Sequence, residues 1–275
     1  MTAAAVAARG AGGSPQPPSG TRRQLVIDRL SVVYRSRRGE LPAVADITMD
    51  IGEGEFVAIL GPSGCGKSTL LKIVSGLLRP TSGSVILDGT PVTRPRSDVG
   101  IVFQQATLLP WRTVLGNVLT PIRALRRSEA AHRDKAMELL RLVGLEAFAG
   151  HYPHELSGGM QQRVGLARSL IHDPRLLLMD EPFAALDAMT RDRMAVELQS
   201  IWSRTRKAVL FITHSIPEAV FLADRIIVLS ERPARVVEVL KVDLPRPRGQ
   251  DVVSRPEFTS LCAHLRECFN IGGER

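Results

Sequence analysis

Phe56-Val57-Ala58-Ile59-Leu60-Gly61-Pro62-Ser63-Gly64-Cys65-Gly66-Lys67-Ser68-Thr69 is the stretch that decides how this chain folds. Its first five residues are apolar without alternation, the pattern of a strand buried on both faces. From Gly61 to Ser68 the chain matches G-x-x-x-x-G-K-[ST] in full. Glycines let successive backbone N–H groups converge on an anion, and the helix that follows adds its positive end. In such a loop Lys67 reaches the outer phosphates of a nucleotide and the Ser68 hydroxyl ligates Mg²⁺. A chance glycine-rich turn would lack the strand before it and the helix after it.

Three more runs, at 176–179, 209–212 and 226–229, are equally apolar and equally unalternated. Together they predict a mostly parallel sheet covered by helices, whose ligands lie at the carboxyl ends of the strands. Asp180 and Glu181 stand at such an end. Asp180 is placed to hold a hydrated Mg²⁺, and Glu181, one residue further, to polarise a water toward the γ-phosphate. Met194, Leu198, Ile201 and Trp202 form an apolar helical stripe that covers the sheet.

On either side of this core the pattern changes. Segments 25–27, 32–34 and 47–49 read as short antiparallel strands separated by polar turns. Between about 105 and 170 the sheet signal gives way to an inserted helical subdomain. Ala136, Leu139, Leu140 and Val143 form its stripe after a cap expected at Ser128. Residues 1–23, rich in Ala, Gly, Pro and Ser, read as a disordered leader. A main domain is expected over 24–242 and a C-terminal helical extension over 243–275, its helix opened by a Ser254-x-x-Glu257 capping box. The fold class is therefore α/β: a phosphate-loop NTPase core, an antiparallel N-terminal subdomain and an α-helical insert.

Composition narrows the class of function. The 275 residues are 44% hydrophobic and 23% charged, which suits a globular domain with a real core. No apolar run approaches the roughly 20 residues needed to span a bilayer. Lys and Arg number 36 against 28 acids, a formal charge of +8, with Arg9, Arg22 and Arg23 in the leader. So mild an excess does not argue for nucleic acid. Three cysteines, Cys65, Cys262 and Cys268, are too few for a disulfide framework and fit a reducing compartment. Cys262 lies on the apolar side of the C-terminal helix and reads as core. Cys65 sits inside the loop, where alkylation is expected to obstruct nucleotide.

A second cradle follows. Leu156-Ser157-Gly158-Gly159-Met160-Gln161-Gln162-Arg163 places a serine and two glycines at the start of a helix, another anion-receptive terminus. One nucleotide does not need two cradles. The economical reading is that this one closes on the ATP of another subunit.

In these motifs, their order and their spacing, residues 24–242 resemble the ATP-binding-cassette ATPases. Gly61, Pro62, Ser63, Gly64, Cys65, Gly66, Lys67, Ser68 and Thr69 correspond to the nucleotide loop, and Ser157, Gly158, Gly159 and Gln161 to the family signature. Met160 stands where that signature commonly has Gln. The resemblance implies that Tyr34 stacks on adenine. It implies that Gln104 joins Ser68 and Asp180 at Mg²⁺, and that Ala185-Leu186-Asp187 crosses a dimer interface. It further implies that His214 contacts the γ-phosphate, so that Glu181, His214, Gln104 and Asp187 carry hydrolysis. The expected mechanism is a head-to-tail homodimer that ATP closes and hydrolysis reopens.

The apolar segment from Gln105 through Pro110 and Trp111 to Asn117 suits docking of a partner helix. With 179–191 and 230–235 it resembles the ATPases of nitrate, sulfonate and taurine importers. That implies two integral-membrane permeases, an external solute-binding protein and a peripheral site on the cytoplasmic face of the plasma membrane. The rival class is a non-transport cassette ATPase that clamps nucleic acid. Members of that class insert long coiled coils or zinc modules between loop and signature, whereas the interval from Lys67 to Ser157 holds neither a heptad array nor a cysteine pair. A purely regulatory nucleotide sensor would not require Glu181 and His214 together.

Overall fold

The computed structural model describes residues 22–36, 39–184 and 186–271. Nearly all of the leader read over 1–23 lies outside them, as does Ala185. The chain opens with two long strands, β1 (Arg23–Ser36) and β2 (Gly39–Gly52), followed by β3 (Phe56–Leu60) and α1 (Lys67–Val74). Next come β4 (Ser82–Leu87), β5 (Thr90–Pro91) and β6 (Val99–Val102). The insert holds α2 (Val114–Val118), α3 (Thr120–Ala124), α4 (Arg133–Leu142) and α5 (Gly158–Leu170). Then β7 (Leu176–Asp180), α6 (Ala188–Thr205), β8 (Ala208–Thr213), α7 (Ile216–Leu222) and β9 (Arg225–Leu229) alternate. The chain closes with β10 (Val236–Lys241) and α8 (Pro256–Ile271).

The four apolar runs become β3, β7, β8 and β9 in one six-stranded sheet ordered β10-β9-β3-β8-β7-β6. All neighbours are parallel except the antiparallel edge strand β10. Their lack of alternation has a direct cause, since each face of the sheet packs against a different core. Phe56, Ala58 and Leu60 of β3 join one apolar cluster with the helical insert, α6, α7 and α8. Val57 and Ile59, pointing the other way, join a second cluster with α1, β1 and β2. The stripe of α6 lands on the first: Met194, Leu198, Ile201 and Trp202 are all buried.

The second sheet is four-stranded and antiparallel, ordered β2-β1-β4-β5. Segments expected as separate short strands at 25–27 and 32–34 are one strand, β1, whose pairing with β2 shifts register four times. Those irregularities break the period-2 pattern, so the sequence reads as two pieces. β6 carries no continuous apolar signal, because Gly100 interrupts an already short run. A Cβ there would lie 2.6 Å from the Ser169 carbonyl oxygen, so glycine is what lets α5 close on β6.

Two cap expectations are corrected. Ser128 accepts from Ala131 N at 3.3 Å, in a short 3₁₀ turn that precedes α4, and does not cap α4 itself. Ser254 ends another 3₁₀ turn, and α8 begins two residues later at Pro256, which needs no partner for a missing N–H at the first helical position.

The C-terminal extension is bound into the main core. Phe258, Cys262 and Leu265 enter the first cluster, and Arg248 is 2% exposed. Its guanidinium donates to the carbonyls of Val220, Phe221 and Ala223 at the end of α7, and to Leu244. Burial and neighbouring Arg246 lower its pKa to about 10, so it stays charged at neutral pH. Replacing Arg248 by Leu strips these carbonyls of their donor while keeping them buried. The expected loss is about 3 kcal/mol of unfolding free energy, read from the urea midpoint. A loss under about 0.5 kcal/mol would show that the clamp does not hold the extension.

Candidate functional site

Parallel strands that are apolar on both faces leave polar residues only past their ends, and four ends meet here. β3 runs into the glycine loop. Gly66, at φ +129°, has a conformation L side chains avoid, and a Cβ on it would meet the Ala43 carbonyl oxygen at 2.7 Å. The loop can therefore turn tightly against β2 before α1 begins. Lys67, only 5% exposed, donates to the carbonyls of Gly61 at 2.7 Å and Pro62 at 2.9 Å. Ser63, Gly64, Gly66, Lys67, Ser68, Thr69, Glu181 and Arg232 line one open cavity above it.

β7 delivers the acidic pair. The Ser68 hydroxyl donates to Asp180, whose pKa burial raises against that bond, with the Glu181 charge raising it further. Glu181 adopts a left-handed φ of 43°, which turns its carboxylate toward the loop. One oxygen lies 3.8 Å from Lys67 Nζ and the other 3.0 Å from His214 Nδ1. His214 follows β8, so the residues of three strand ends form one chain of contacts: lysine, glutamate, histidine.

Other sequence-predicted residues are placed as follows. The Tyr34 hydroxyl lies 3.1 Å from Thr69 Oγ1, with the ring partly exposed beside the loop. Gln104 is exposed just past β6, next to the strand that ends in Asp180. Asp187 caps α6, accepting from Thr190 N at 3.0 Å and from the Thr190 hydroxyl at 2.7 Å, and those bonds hold its carboxyl below the usual range. Ser157 caps α5 through Met160 N. Ser157 and Gly158 are exposed, and none of Ser157, Gly158 or Gly159 lines the cavity over the loop. Gln161 points elsewhere. Its amide nitrogen is engaged by the carbonyls of Pro153 and Leu156, bracing the segment before the turn.

Several functional contacts had no local signal. Arg232 donates to the Gly64 carbonyl from far along the chain, adding positive charge to the loop's rim. Gln162 donates to Phe103 O at 2.9 Å, and Arg168 to the carbonyls of Ala106 and Thr107. Three donors on α5 thus hold the segment that carries Gln104. Asn117, fully buried, accepts from Leu109 N and donates to the carbonyls of Leu109, Arg112 and Thr113. That knot presents Trp111, 72% exposed, to solvent.

The Ser68 hydroxyl and the Asp180 carboxyl meet beside the glycine loop and offer hard oxygen donors, and Gln104, exposed past the neighbouring strand, offers an amide oxygen. That chemistry fits Mg²⁺. A backbone nest, a buried lysine and a carboxylate thus stand together at the strand ends, a chemistry suited to a polyanion.

This chain belongs to the ABC transporter family, whose description (ABC_tran) matches residues 44–184. It is an ABC ATPase, the subunit that couples ATP hydrolysis to transport. Among its relatives is the taurine import ATP-binding protein TauB of Rhizobium johnstonii, 46% identical over 248 residues, 88% of this chain and 95% of that protein. An uncharacterized ABC transporter ATP-binding protein of Methanocaldococcus jannaschii is 46% identical over 235 residues, 86% of this chain and 88% of that one. In three dimensions the chain is similar to the ATP-binding cassette MJ0796, a dimer in a post-hydrolysis state bound to ADP and Pi. The TM-score is 0.69 and the identity 35%, covering 82% of this chain and 99% of that one. It is also similar to cbiO1 of Clostridium perfringens, part of the transporter complex cbiONQ, with TM-score 0.72, 27% identity and coverage of 90% and 98%.

Cys65, where alkylation is expected to obstruct nucleotide, is only 2% exposed. Its side chain is buried against Gly61, and burial raises its pKa despite the nearby Lys67 charge. Thiol reagents are expected to modify Cys65 in the native chain no faster than the buried Cys262, and to reach it on unfolding. Mass spectrometry of labelled peptides measures this, and rapid native labelling of Cys65 would contradict it.

Proposed function

We propose that this ATPase drives a membrane importer of small organic or inorganic anions, of the nitrate, sulfonate and taurine kind. Support comes from relatives named for taurine import that align along almost their whole length. The observation that carries the catalytic half of the reading is the Lys67–Glu181–His214 chain at the ends of β3, β7 and β8. Two copies pair head-to-tail, with Ser157, Gly158 and Gly159 of one sealing the nucleotide held by the loop of the other. Ser157 and Gly158 are exposed, and the turn stands apart from its own chain's cavity, which supports a partner-facing cradle.

In this reading the loop's N–H groups and Lys67 hold the phosphates, and Tyr34 supports the base. Ser68, Asp180 and Gln104 hold Mg²⁺, which when bound neutralises charge on the phosphates. Glu181 orients the attacking water and accepts its proton, while His214 fixes the Glu181 carboxylate and reaches the γ-phosphate. Asp187, held by Thr190, stands at the pair's interface. The chain works at the cytoplasmic face of the plasma membrane, recruited by its permease. Among the described residues no helix is long and apolar enough to cross a membrane. Trp111 and the knot beneath it form the docking surface for a permease helix, and an external binding protein selects the solute.

Within the complete transporter, Glu181→Gln is expected to retain ATP binding while lowering hydrolysis about 10²–10⁴-fold and stabilising the closed pair. Undiminished steady-state ATPase would remove Glu181 from the chemistry. Trp111→Ala is expected to reduce copurification with the permease while leaving ATP binding intact. Stimulation of hydrolysis by DNA in a salt-sensitive manner, without any permease association, would overturn the importer reading in favour of a nucleic-acid clamp.

A further inference from the structure

On the far edge of the six-stranded sheet, Glu238 of β10 meets His264 and Cys268 of α8. The two helical residues are four apart and so share one face, turned toward the strand. His264 Nε2 lies 2.7 Å from one Glu238 oxygen, and Cys268 Sγ lies 2.8 Å from the other. Sγ and Nε2 are 4.0 Å apart. Among the described residues this is the one group of three His, Cys, Asp or Glu side chains whose donor atoms converge so closely. It lies outside the nucleotide site and does not depend on the importer reading.

We propose that Glu238, His264 and Cys268 form a binding site for a zinc-class divalent cation, which clasps the C-terminal helix to the edge of the sheet. A tetrahedral zinc with its usual bond lengths sets sulfur, nitrogen and oxygen ligands about 3.4–3.6 Å apart. The sulfur and nitrogen already stand near that spacing, so a cation enters by a shift of the Glu238 carboxylate of less than about 1 Å. Thiolate, imidazole and carboxylate together favour Zn²⁺ or Co²⁺ over Mg²⁺, which prefers oxygen alone. The His264 side chain is 41% exposed and that of Glu238 31%, which leaves an entry path and a fourth position for water.

Burial and the hydrogen bond to Glu238 push the Cys268 thiol up to about 12, so it holds its proton at neutral pH. Burial raises the Glu238 carboxyl, but hydrogen bonds from Cys268 and His264 outweigh it and hold the group below its usual range. Two polar hydrogens are thus aimed at one carboxylate, in the place a dication would occupy. On binding, the metal–sulfur bond forms as the thiol proton leaves to solvent. His264 coordinates through Nε2, with its single proton on Nδ1. The thiol proton is released to solvent, and there is no redox step.

The test is a Co²⁺ titration of the metal-stripped full chain with Mg²⁺ in excess. The expected result is a thiolate-to-cobalt absorption band that saturates at one equivalent and is bleached by Zn²⁺. Cys268→Ser is expected to abolish the band, and His264→Gln to weaken Co²⁺ binding about tenfold or more. Cys262→Ala and Cys65→Ala are expected to keep it. No band in the unsubstituted chain at any Co²⁺ excess would overturn the proposal and leave a hydrogen-bonded trio. So would a band that survives Cys268→Ser. The titration of the unsubstituted chain reads out whether or not a variant folds.

Discussion

A strand that is apolar on both faces cannot hold a charge along its length, because an unpaired buried charge costs several kcal/mol. The central sheet of this chain has such strands side by side, all pointing one way. The charged and polar groups of the nucleotide site are therefore pushed to the line where these strands stop. β3 stops at the loop and Lys67, β7 at Asp180 and Glu181, β8 at His214, and β6 just before Gln104. The Lys67–Glu181–His214 contacts follow from that exclusion, and the left-handed turn at Glu181 brings the carboxylate back over the neighbouring strand ends.

Around this line the insert is attached by side chains to main chain. Gln162 and Arg168 of α5 grip the carbonyls of residues 103, 106 and 107. The helix that begins at Ser157 and the segment that carries Gln104 therefore move together. Asn117 does the same for the loop beneath Trp111. Arg168 satisfies two carbonyls at once and the buried amide of Asn117 three, which fixes a loop more firmly than apolar contact would.

What was legible in the sequence was what is local. The continuous runs declare a two-faced sheet, the glycine loop declares itself by spacing, and Ser157 and Asp187 are recognisable helix starts. What was not legible depends on distant partners or on broken periods. β1 reads as two pieces because its register shifts. Arg232 reaches Gly64 across most of the chain, and the bonds of Gln161 to the carbonyls of Pro153 and Leu156 have no signature in its spacing. The cluster of Glu238, His264 and Cys268 needs a strand and a helix that no spacing brings together.

Arg248 gives the extension a mechanical role. Its guanidinium is anchored on the last carbonyls of α7, the short helix that starts two positions beyond His214. The extension expected over 243–275 is thus joined to the main domain through one buried side chain, which satisfies the carbonyls that close α7.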